Sequence, residues 1–208
     1  MSRSSMIREL EIESPFIEKE NDLSFNSEDS NSSVEVDIEE INVEEFEKPI
    51  YKTAQSISNI LEKYITVSNN LKIKRSSKEL SLFDIFYNDE IPEVSIYKYL
   101  QRIILYSNIE ENTLVLSLIY IDRLCNKKVP VNKYTIHKLL FTCILIALKV
   151  NEDCFYKNNY YSEISGILLK ELNLLEYNLL VLLDFQTNVT LEVFNEYKTG
   201  LLMIRIQS

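Results

Sequence analysis

The chain has 208 residues, 26% of them charged, and a formal net charge of −10. The excess is local: residues 1–50 hold 15 acidic against 4 basic side chains, and the rest hold 17 against 18. A near-neutral body excludes a surface for the phosphate backbone, which needs clustered Lys and Arg. The two glycines and one histidine exclude Gly-rich phosphate loops and multi-histidine metal sites.

No catalytic constellation can be written from this alphabet, so the expectation is a protein that is not an enzyme. It has no metal, no cofactor, no small-molecule substrate and no nucleic acid partner. Cys125, Cys143 and Cys154 form no CxxC and lie in or beside apolar segments, where a free thiol acts as a small hydrophobe. Reduced thiols suit a cytoplasmic or nuclear setting. The N-terminus MSRSSMIRELEIE lacks the apolar core of a secretion signal. The apolar run Leu139–Leu148 is shorter than the roughly 20 residues a membrane helix needs, so no membrane is expected.

Residues 1–48 are rich in Glu, Ser and Asn without a sustained period, and read as a disordered acidic tail. Ser27 and Ser30 sit among its acids as candidate phosphorylation sites. After Pro49, IYKTAQSISNILEKYITVSNN places Ile50, Ala54, Ile57, Leu61, Tyr64 and Ile65 on one helical face. LKIKRSSKE then breaks the pattern with a small basic patch (Lys72, Lys74, Arg75, Lys78), and an apolar connector runs to Pro92.

Ser95 is placed to cap IYKYLQRIILYSN, whose stripe is Ile96, Tyr99, Leu100, Ile103 and Ile104. A second helix covers Glu110 to Cys125 and stops near Val129-Pro130. A third, NKYTIHKLLFTCILIALKV, is expected to be capped by Asn132. NNYYSEISGI gives a short helix ended by Gly166. LLKELNLLEYNLLVLLDF gives another, and a last helix starts near Thr190 and runs towards Ile206. No strand alternation is visible. The third helix is apolar all round from Leu139 to Leu148, and such a helix in water must be enclosed by others. The expected fold is all-α: a five-helix bundle around one central helix, with one extra helix at each end.

Lys149 ends that central helix. A cation there is favoured by the helix dipole at ~0.3–1 kcal/mol, which is one account of it. The other is an ammonium held at a rim to donate to a partner's backbone. Glu176 favours the second account, because it interrupts a leucine-rich helix between Leu172 and Leu180, where an unpaired charge costs several kcal/mol. Tyr156, Tyr160 and Tyr161 read as a roof over the bundle, and Cys143 and His137 as structural residues.

The segments YLQRI, LSLIYIDRL, HKLLFTCILIALKVNED and FYKNNYYSEISGILLKELNLLEYNLLVLLDFQTNVT resemble the cyclin box over Ser95 to Tyr197. They are most similar to the P/U-type, phosphate-signalling cyclins. The resemblance divides the chain into a tail (1–48), an N-terminal helix with connector (49–94), a single cyclin box (95–186) and a C-terminal helix (187–208). It implies a regulatory subunit that binds and activates a cyclin-dependent protein kinase. Lys149 and Glu176 fall on the family's kinase-binding lysine and glutamate, which hold the kinase αC helix and activation segment. Arg102 and Asp122 fall on an arginine and an aspartate that the family pairs inside the box. Val150 stands where the subfamily has a larger aromatic, and Ser165 replaces one of two paired glycines. The alternative function is an all-helical adaptor of the same fold that binds a non-kinase protein or transcription complex.

Overall fold

The computed structural model describes residues 47–68 and 82–207. The acidic tail through residue 46, with Ser27 and Ser30, lies outside the described residues, as does the basic patch at 72–78.

Helix α1, Pro49–Ser68, opens on a proline, whose missing N–H has no helical acceptor at that position anyway. Its stripe Ala54, Ile57, Leu61 and Ile65 is buried, with Ile50 and Tyr64 packed at the margins. Thr53, Ser56 and Ser58 are buried too, because α1 is embraced by three helices. Ser56 donates to the Lys52 carbonyl at 3.1 Å, and Ser58 to Glu62 at 3.2 Å. A 3₁₀ turn, Asp84–Phe86, then drives Phe86 into the core. Helix α2 spans Ile96–Ser107, and the Ser95 hydroxyl accepts from the Lys98 amide at 3.3 Å, which is the N-cap expected from its position.

Helices α3 (Glu111–Asn126) and α4 (Ile136–Asn151) form the centre. Every residue of α4 from Leu139 to Leu148 is buried, which the all-round apolar pattern requires. Helix α3 is also buried continuously, from Asn112 to Asp122, so the centre holds two helices rather than the expected one. Polar letters conceal this in the sequence, because each has an internal partner. Ser117 donates to the Leu114 carbonyl at 2.7 Å, Tyr120 to Thr187 at 2.8 Å, and Asn112 accepts from Lys198 at 3.0 Å.

Helices α5 (Asn158–Ser165), α6 (Leu169–Leu182) and α7 (Leu191–Gln207) complete the molecule. Gly166 ends α5 at φ 71°, the left-handed cap that glycine permits without a Cβ clash. α1 and α7 flank α3, α6 covers α4, and α2 is packed between α1 and α5. The described residues contain seven α-helices and no strand. Asn132 does not cap α4. Its side chain accepts from the Tyr134 amide at 2.9 Å in an Asx turn, and the helix begins at Ile136, four residues on. Cys143 is buried as expected, whereas Cys154 is exposed in the loop after α4.

The Arg102–Asp122 ion pair expected from the resemblance is not formed. Arg102 is exposed on α2 and donates to the Glu163 carbonyl of α5 at 3.3 Å. Asp122, 2% exposed on α3, accepts from the Tyr197 hydroxyl at 2.7 Å and from Asn126 at 3.2 Å. Helix α7 brings its tyrosine to the buried carboxylate, while the guanidinium stays in water and needs no counter-charge.

Across the bundle, His137 Nε2–H donates to the Val94 carbonyl at 2.8 Å and pins the connector to α4. Its Nδ1 is buried without a partner. Burial lowers the imidazole pKa below its ordinary 6.5, against the opposing pull of the Val94 carbonyl.

Arg102→Ala is expected to change stability by no more than ~0.5 kcal/mol, as for an ordinary surface substitution. Asp122→Ala, which removes the buried carboxylate that accepts from the Tyr197 hydroxyl, is expected to cost ~1–3 kcal/mol. Urea unfolding of both variants checks the contrast, and equal losses would restore the ion pair. For His137, the unfolded ring takes up a proton near pH 6.5 while the folded ring resists, so stability is lost as pH falls through that value. Wild type is expected to lose stability between about pH 7.5 and 5.5 more steeply than His137→Asn; parallel profiles would contradict this.

Candidate partner-binding site

The last turn of α4 emerges from the core where α5 and α6 meet it. What fixes that exit is Glu152, the residue after the helix. Its carboxylate accepts from the Glu110 amide at 3.1 Å and from the Thr113 hydroxyl, tying the end of α4 to the start of α3. Burial raises the Glu152 pKa, and those two hydrogen bonds pull the other way.

Three residues earlier, Lys149 Nζ donates to Glu176 Oε1 of α6 at 2.6 Å. The two side chains are 25% and 18% exposed, so the pair sits at the surface with most of its stems covered. Glu176 Oε2 accepts from Asn158 Nδ2, at the start of α5, at 2.8 Å. The same nitrogen donates to Asn173 Oδ1 at 2.7 Å. Both oxygens of Glu176 are therefore engaged inside the protein. The ammonium has three N–H donors and gives one to Glu176, which leaves two for another molecule.

Exposed apolar side chains flank these charges in sequence. Val150 follows Lys149 and is 47% exposed; Tyr177 follows Glu176 and is 58% exposed. Leu174, one turn before Tyr177, is open as well. Phe185, just past α6, is 62% exposed. Asp184 and Phe185 both adopt left-handed backbone, with φ 54° and 55°. That conformation costs a bulky residue roughly 1–2 kcal/mol. The Phe185 amide bonds back to the Leu180 carbonyl at 2.8 Å, and Lys127 holds the turn from outside by donating to Leu182 and Asp184. The result is an aromatic ring turned to solvent by a braced, strained turn. Strain of this kind gathers at functional surfaces.

The Tyr156, Tyr160 and Tyr161 group divides between roof and surface. Tyr161 is buried, its hydroxyl accepts from the Tyr156 amide at 3.1 Å, and burial pushes its pKa up to about 12. The Tyr156 ring lies tilted against that of Tyr160, with centroids 4.4 Å apart, and remains half-exposed with Phe155.

Of the four site residues read from sequence, Lys149 and Glu176 come together at this mouth, and Arg102 and Asp122 lie elsewhere and apart. Sequence reasoning missed Asn158 and Asn173. Asn173 stands one helical turn before Glu176, a spacing visible in KELNLLE, but the link to Asn158 crosses a loop and has no periodic signature. Among the described residues there is no group of His, Cys, Asp and Glu able to hold a metal ion, and no helix long and apolar enough to cross a membrane. What the arrangement presents is an ion pair with exposed apolar side chains next to it in sequence.

Comparison with known proteins agrees. The family model described as Cyclin matches residues 48–187, beginning just ahead of α1. The chain is 34% identical to Cyclin-U4-1 of Arabidopsis thaliana over 157 residues, covering 74% of this chain and 77% of that protein. It is 35% identical to Cyclin-U1-1 of Arabidopsis thaliana, over 68% of each. With Cyclin-P3-1 of Oryza sativa subsp. japonica it shares 34% identity over 74% of this chain and 63% of the relative. The match and the all-α architecture agree: the chain belongs to the cyclin family, as a non-catalytic regulatory protein with a single cyclin box.

Proposed function

We propose that this cyclin binds and activates a cyclin-dependent protein kinase, with Lys149 and Glu176 as the anchor of the contact. The observation that carries the reading is the half-buried pair itself, set between exposed Val150 and Tyr177 at the mouth of three helices. A kinase works only when its αC glutamate meets the strand lysine and its metal-binding aspartate is in place. A regulatory protein favours that arrangement by binding the inward αC helix better than the displaced one, since differential affinity alone moves a two-state equilibrium. The remaining N–H donors of Lys149 are suited to backbone carbonyls at the end of the kinase αC helix or activation segment. Val150, Tyr177 and Phe185 supply the apolar area that a docked helix buries. The site of action is the cytoplasm, the nucleus or both.

Removing either charge is expected to abolish capture while leaving the fold. A partly exposed pair contributes only ~0–1 kcal/mol to folding, so Lys149→Ala and Glu176→Ala are expected to melt within a few degrees of wild type. Loss of the anchor is expected to weaken kinase binding at least tenfold, or about 1.4 kcal/mol. Affinity purification of the three proteins, with mass spectrometry of what is bound and circular dichroism of each, decides the matter. A wild-type chain that captures no cyclin-dependent kinase would point to the adaptor reading.

A further inference from the structure

Glu176 has two oxygens, and only one of them faces the ammonium. The other is held from a different helix by Asn158, which donates through one nitrogen both to Glu176 Oε2 and to Asn173 Oδ1. The two acceptors lie one turn apart on α6, so the amide of α5 bridges a single face of its neighbour. An amide carries both N–H donors on nitrogen and its acceptor on oxygen. Turned over, it would aim its oxygen at a carboxylate and at a carbonyl oxygen, so the network fixes its orientation.

That orientation has a penalty. Asn158 Oδ1 is buried and has no partner. Native proteins hold few such atoms, because a buried acceptor left unbonded loses its hydration without return. The amide is thus set unfavourably for its own oxygen and favourably for Glu176. The terminal torsion of a glutamate is broad, and a carboxylate tied at one oxygen swings about it. A lysine paired with a swinging carboxylate swings too.

We infer that Asn158 is a positioning residue for the docking anchor: by pinning Glu176 from α5, it holds the Lys149 ammonium in one place, with its free N–H groups directed at the partner. This rests on the proposed docking role of the pair.

The test uses the full chain and the variant Asn158→Leu, close in size and without a donor. The first readout is the acetylation rate of each lysine by an N-hydroxysuccinimide ester, followed by mass spectrometry. Lys149 is expected to react several-fold faster in the variant. Lys138, paired with Glu171 at 2.6 Å between α4 and α6 like Lys149 itself, is expected to keep its rate. The second readout is affinity for the cyclin-dependent kinase that the wild-type chain captures, expected to fall about tenfold. Asn158→Asp, which also removes the donors and places a charge against Glu176, is expected to act in the same direction and serves if the leucine variant does not fold. An unchanged Lys149 rate overturns the inference, as does an equal rise at Lys138, which would mean a loosened fold. If the rate rises at Lys149 alone but affinity does not fall, the positioning role is refuted. Should the wild-type chain capture no kinase, the docking proposal fails by itself, and the acetylation rates still decide whether Asn158 pins the pair.

Discussion

The constraint on which the molecule depends is that α4 has no face that water can tolerate. Ten consecutive residues, from Leu139 to Leu148, are buried, and a helix so enclosed dictates where its neighbours stand. α3 lies along one side, α6 along another, and the Asp84–Phe86 turn closes a third. At about 1.5–3 kcal/mol for each large apolar side chain buried, this one helix accounts for a major share of the hydrophobic drive to fold. Its charged groups appear only near its ends; the Thr142 hydroxyl inside the run donates to the Lys138 carbonyl at 2.6 Å. Each end carries a lysine paired with a glutamate of α6: Lys138 with Glu171, and Lys149 with Glu176.

These two pairs look alike in geometry and differ in setting. Lys138 also donates to the Tyr87 carbonyl, and its contacts close the α4 end against the connector. Lys149 donates to Glu176, and exposed Val150 and Tyr177 stand beside it. The first pair is a seam between elements already packed together. The second has exposed apolar residues next to it in sequence on both helices. The braced turn at Asp184 and Phe185 adds an outward ring just past the end of the same α6.

Much of this was legible in the sequence because it depends on periodicity. The α1 and α2 stripes, the Ser95 cap, the Gly166 terminus and the buried α4 run each follow from spacing and side-chain chemistry, and each is found. The pairing of Lys149 with Glu176 was legible for a related reason: both are charges where the local pattern demands apolar residues, so their conflict with the pattern marks them. What was hidden has the opposite character. The burial of α3 is masked by Asn112, Ser117 and Asp122; for Asn112 and Asp122 the partners, Lys198 and Tyr197, come from the distant α7. The pairing assigned to Arg102 failed because a matching residue type does not carry its geometry with it: a tyrosine of α7 reaches Asp122 and the arginine stays in solvent. Asn158 escaped notice because an asparagine opening a short helix looks like ordinary turn chemistry until α6 is laid against it.

In the docking role proposed for the Lys149–Glu176 pair, its intermediate burial would be what suits it to binding. An ammonium in open water interacts weakly with anything, because exposed charges are screened beyond a Debye length of about 8 Å at physiological salt. One sealed in the core would be out of reach, and its desolvation, several kcal/mol per ion, would already have been charged against folding. With 25% of its side chain open, Lys149 keeps its hydration while the protein is alone and its position while it waits. A docking helix that covers Val150, Tyr177 and Phe185 would expel the remaining water, and in the lower dielectric each hydrogen bond from the ammonium to a carbonyl grows stronger. A wrongly shaped partner would strip the same water without offering acceptors, and would bear the penalty of a buried, unanswered charge. On that proposal, apolar area would supply affinity, and the lysine would supply the refusal of partners whose backbone does not end where it should.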